Sequence, residues 1–92
     1  MSAIWKFSMM LTAGGGQIFD VPVGAVFRHC DAQGSTIGIW LEVPDRSAPA
    51  ERRWFRAYAT GQPIEEAGLT YLGTVLFDGG AFVLHVYEQP MP

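Results

Sequence analysis

Apolar and polar residues alternate with a period of two through most of this sequence, and that pattern leaves little room for helix. In 36–43 (TIGIWLEV), Ile37, Ile39, Leu41 and Val43 fall on one side and Gly38, Trp40 and Glu42 on the other. An extended backbone sends successive side chains to opposite faces, so the first set is a core face and the second an outer face. No stretch holds a convincing 3.6-residue period, while β-branched and aromatic residues recur throughout. The expected fold is all-β, or mainly β with one short helical turn. It is a compact antiparallel sheet of about six strands, curled as a small barrel or sandwich.

The strands are expected at Ala3 to Met10, Ala25 to Ala32, Thr36 to Val43, Glu51 to Thr60, Thr70 to Phe77 and Ala81 to Glu88. Gly14-Gly15-Gly16 ends the first, and a short extended piece follows around Gln17 to Phe19. Pro22 cannot donate a ladder hydrogen bond and belongs at an edge or turn. Two hairpins are signalled, one through DAQGS with Gly34 at its tip and one through DGG, since glycine takes the positive φ that tight turns need. PDRSAPAE reads as the longest and most mobile loop, and GQPIEEAG as a turn carrying one helical turn at Ile64 to Ala67.

A chain of 92 residues holds one core and one domain, here 1–92. Apolar residues are 49% and charged residues only 16%, against about 25% charged in ordinary domains. Little charge is left to cover the surface, so a homo-oligomer is expected. The net charge of -3 disfavours general nucleic-acid binding, which needs a basic stripe to release counterions. The single cysteine, Cys30, reads as a small buried hydrophobe and the chain as cytoplasmic. The N-terminal apolar run is too short to span a membrane and reads as a strand, with a signal peptide as the alternative.

Against that acidic background, four of the six basic residues, Arg46, Arg52, Arg53 and Arg56, sit in one window with Trp54, Phe55 and Tyr58. Alternation puts Arg52, Trp54, Arg56, Tyr58 and Thr60 on one face, and Arg53, Phe55, Ala57 and Ala59 on the other, inward one. Guanidinium, indole and phenol in a row suit an anionic planar ligand such as a nucleotide. The same residues also suit an oligomer interface, or an ordinary outer face whose arginines pair with Glu42, Glu51 or Glu88. Lys6 is expected near this face. His85 shares the outer side of its strand with Val83 and Tyr87.

Two histidines and one cysteine cannot complete a structural zinc site within one chain. AGGGQ lacks the Lys and Ser/Thr of a phosphate-gripping loop and reads as a connector. Nothing singles out a catalytic set, so no enzyme activity, cofactor or metal is expected.

The segments IWKF (Ile4 to Phe7), VPVGA (Val21 to Ala25), TGQPI (Thr60 to Ile64), YLGT (Tyr71 to Thr74) and FVLHVYE (Phe82 to Glu88), with Gln33 and Trp40, resemble a family of small uncharacterised tailed-phage and prophage proteins. The resemblance runs nearly the whole chain. One departure is Leu84, where that family often carries Trp, so no stacking role transfers to this position. The resemblance implies a non-enzymatic phage protein that blunts host defence, by sequestering a nucleotide-like signal or by binding a host defence protein. A virion structural or assembly accessory is the alternative it leaves open.

Overall fold

A computed structural model describes residues 1–11 and 16–92. Among them are seven strands: β1 (Ala3–Met10), β2 (Gln17–Pro22), β3 (Val26–Gln33), β4 (Thr36–Val43), β5 (Ala50–Ala59), β6 (Thr70–Phe77) and β7 (Phe82–Gln89). They form two antiparallel sheets, β1-β4-β3 and β2-β5-β7-β6. The arrangement is a two-layer sandwich and not a closed barrel, and its smallest extent is 18 Å.

Each sheet turns one face inward, as the alternation requires. Ile37, Ile39, Leu41 and Val43 of β4 meet Val21, Phe55, Val75, Leu84 and Val86 of the other layer, and all are buried. On the open side between β1 and β2, the rings of Trp5, Phe7, Phe19 and Phe55 step across the layers at 6.4, 5.3 and 6.0 Å. On the opposite side β3 and β6 approach each other. Each carries a ladder irregularity there, at Phe27/His29 and at Tyr71/Gly73.

The strand count exceeds the expected six because the piece after the glycines is a full strand. It pairs with β5 from Gln17↔Phe55 to Pro22↔Ala50, and Pro22 is tolerated because β2 is an edge. Both hairpins form as expected. Gly34 has φ +58 between β3 and β4, and Asp78, Gly79 and Gly80 have φ +51, +65 and +97 between β6 and β7.

Two loop expectations are corrected. Residues 64–67 form no helix, and the helical piece among the described residues is the 3-10 turn Asp78–Gly80. Glu66 is instead drawn onto the sheet by Tyr58 and Arg56, a tertiary contact that overrides local propensity. Segment 60–69 is also longer than 44–49. The 44–49 loop is tied to itself: Asp45 Oδ1 accepts from Ser47 Oγ at 2.6 Å and Ser47 N at 3.0 Å, and Ala48 N donates to Asp45 O at 3.1 Å. Gly14 and Gly15 of the expected connector lie outside the described residues.

Candidate functional site

Strand β5 builds the site, because its outward side chains meet those of β7 and β6 in register. Trp54 stands opposite Gln89, Arg56 opposite Tyr87 and Tyr58 opposite His85, while Tyr71 and Thr74 of β6 continue the rows beyond Tyr87 and His85. Tyr87 meets Tyr58 and Tyr71 edge-on, at 5.6 and 5.4 Å between centroids. Arg56 Cζ lies 5.5 Å from the Trp54 ring centroid and 5.7 Å from that of Tyr58, within range of attraction by both ring faces.

Segment 60–69 then adds a carboxylate from above. The Tyr58 hydroxyl donates to Glu66 Oε1, and Arg56 Nη2 lies 3.6 Å from the same oxygen. Arg56 Nη1 donates to Gln89 Oε1 at 3.0 Å. Arg56 Nε is buried and has no hydrogen-bond partner among the described residues, a costly state for a charged donor. Burial, and next the bond to Glu66, push the Tyr58 phenol above its ordinary pKa.

A second polar group adjoins the first. Thr60 Oγ1 is 2.9 Å from His85 Nε2, Thr74 Oγ1 is 3.1 Å from His85 Nδ1, and Tyr71 Oη is 2.5 Å from Thr74 Oγ1. Each threonine hydroxyl both donates and accepts, so the imidazole is held in either tautomer. The ring is fixed between hydroxyls, an arrangement that orients it for contact.

The structure brings most of the expected residues together as neighbours and leaves two apart. Trp54, Arg56, Tyr58, Thr60 and His85 come together, although Tyr58 is buried beneath its neighbours and is not displayed. Arg52 stands further along β5, opposite Asp20. It lines a cleft of about 350 Å³ with Glu51, Arg53, Gly68, Glu88 and Met91. Lys6 does not belong to the site. It points outward from β1 in the other sheet, opposite Trp40, because Trp5, Phe7 and Met9 take the inward positions. Glu66 was missed, since nothing local marks a loop carboxylate as the cover of a sheet. Glu88 pairs with an arginine as foreseen, but with inward Arg53: Nε–Oε2 is 2.5 Å, Nη2–Oε1 is 3.0 Å, and Arg53 Nη1 also donates to Ala25 O at 2.8 Å.

Among the described residues no three of His, Cys, Asp and Glu are grouped to hold a metal ion, and no helix is long and apolar enough to cross a membrane. No curated protein and no solved structure matches the chain. A family defined only as a domain of unknown function, DUF7352, matches residues 1–92 from end to end, and the chain belongs to that family.

Proposed function

We propose that this chain is a non-enzymatic, phage-encoded binding protein that antagonises host defence in the bacterial cytoplasm by sequestering a nucleotide-like signal. One observation carries the reading: the Arg56 guanidinium lies between two aromatic rings and keeps a buried Nε donor unmatched. A guanidinium is a planar, permanently charged fork suited to phosphate, and the half-buried Trp54 indole beside it is the kind of ring on which a base stacks. Arg52 extends positive charge along the same strand, and Thr60 and His85 border the site with polar groups. The phage origin is supported by resemblance alone, through the order of the IWKF, VPVGA, TGQPI, YLGT and FVLHVYE segments.

Docking onto a host defence protein is the second reading. Tyr71, 56% exposed at the margin of the same face, favours it, because tyrosine is a preferred anchor of protein interfaces. Both readings include a homo-oligomer. Ile4, Met10 and Val26 are exposed on the outer face of the three-stranded sheet and offer apolar area for a second copy.

Native mass spectrometry of the protein isolated from cells with an active defence system tests these readings together. An oligomer with a stoichiometric small-molecule mass, lost in folded Arg56→Ala and Trp54→Ala variants, supports sequestration. An oligomer retaining a host protein supports docking. A protein found only in purified virions overturns both and makes it a particle component.

A further inference from the structure

Arg53 and Arg56 stand three positions apart on β5 and are held in different ways. Their side chains are equally covered, each 15% exposed, and their acidic partners Glu88 and Glu66 are 22% and 27% exposed. Arg53 grips Glu88 with two donors at 2.5 and 3.0 Å, the paired geometry that makes such bonds strong. Arg56 instead stands 3.6 Å from Glu66 through one nitrogen and leaves Nε unmatched. Solvent does not explain the contrast, because the two pairs are covered alike.

We infer that Glu66 is an internal stand-in for a ligand: Arg56 and Tyr58 form an oxyanion subsite, and segment 60–69 swings aside to admit an external phosphate group. A phosphate has enough oxygens to take the Arg56 fork and the Tyr58 hydroxyl together, whereas Glu66 takes the hydroxyl and misses the fork. The segment has few ties beyond its first three residues, where Gln62 N donates to Ala59 O at 3.0 Å and Thr60 Oγ1 lies 2.9 Å from His85 Nε2. It holds neither helix nor strand, and a glycine of positive φ stands near each end, Gly61 at +87 and Gly68 at +76. Gly61 has nothing within 4 Å of where a Cβ would stand. A hinge at Gly61 takes up backbone rotation at little steric cost, while Gly68 packs against Pro90, whose Cγ lies 3.2 Å from where a Cβ would stand. This inference rests on the sequestration reading for its biological use, and its test separates the two.

The experiment titrates native protein, Glu66→Ala, Glu66→Gln and the double variant Glu66→Ala/Arg56→Lys with inorganic pyrophosphate by calorimetry, and follows hydrogen exchange across 60–69. A competing internal group lowers apparent affinity by the fraction of open molecules, so Glu66→Ala is expected to bind about tenfold tighter than native protein. The lysine variant keeps the charge, loses the fork and is expected to lose the gain. Exchange at 60–69 rises in Glu66→Ala while the strands stay protected. Equal affinity in native protein and Glu66→Ala overturns the stand-in role and leaves sequestration standing. Pyrophosphate binding by none of the proteins overturns the oxyanion subsite, even where native mass spectrometry finds a bound small molecule. Should Glu66→Ala fail to fold, Glu66→Gln carries the test, since it keeps the size of the side chain and removes the negative charge that competes for Arg56: unchanged affinity there overturns the inference.

Discussion

The Cys30 thiol lies so close to Gly73 that a Cβ on residue 73 would stand 2.8 Å from Sγ. The two residues sit where β3 and β6 approach at the seam between the sheets, beside the irregularities in both ladders. Burial, and then the Asp31 charge, raise the thiol pKa, which keeps the sulfur in its unreactive form.

Gly73→Ala is expected to destabilise the fold by about 1–3 kcal/mol, the cost of overpacking a tight contact. Adding Cys30→Ala removes the sulfur and restores most of the loss. Urea denaturation of the two single variants and the double variant checks this; additive losses would show that the contact is not the cause.

Gly16 is required for a different reason. It has φ +77, and a Cβ there would meet Phe55 O at 2.3 Å and Arg56 Cγ at 2.8 Å. Backbone and side chain clash together, so Gly16→Ala is expected to cost more than about 2 kcal/mol. The melting temperature reads the loss, and a change at Gly34, where nothing lies within 4 Å of the added Cβ, serves as the comparison for positive φ alone.

The Arg53–Glu88 pair closes one end of the core and also ties β5 to Ala25 O. Arg53→Met leaves Glu88 without its charged partner and is expected to cost about 2 kcal/mol, below the range for fully buried pairs because solvent screens part of the interaction. Chemical denaturation measures it. A smaller loss in Arg53→Met/Glu88→Leu than in Arg53→Met would identify the stranded carboxylate as the source.

Stability is expected to fall at both ends of the pH scale. Tyr58 has a raised pKa in the folded chain, so its contribution is full below the ordinary tyrosine value of about 10 and is lost as pH rises through the native value. Asp45 and Glu42 behave oppositely. The Ser47 hydroxyl bond holds Asp45 below its usual range, and the Arg28 bond does the same for Glu42. Their contributions are present above about pH 4 and are lost as pH falls through the native values. In melting curves against pH, Tyr58→Phe should flatten the alkaline decline and Asp45→Asn the acid one.

The faces of the strands were legible because alternation is a local property. Phe55 turns inward and Trp54 outward for the same geometric reason that Ile39 and Trp40 do, whatever the rest of the chain is doing. The turns were legible too, since the DGG and DAQGS segments contain the glycines that positive φ demands. The length of β2 was not, because Asp20 to Pro22 became strand only by pairing with β5.

By itself, then, the sequence determined an all-β chain, the inner and outer sides of β4, β5 and β7, and the row of Trp54, Arg56 and Tyr58. Tertiary structure alone decided which sheet each strand joined, which removed Lys6 from the site and brought His85 between Thr60 and Thr74. It also decided that Glu66 would cover Arg56 and that Arg53, not Arg56, would hold Glu88. Side-chain direction follows from one residue's own dihedrals, whereas these partnerships depend on sheet order and on where a long loop returns, and neither is encoded in any short window of residues.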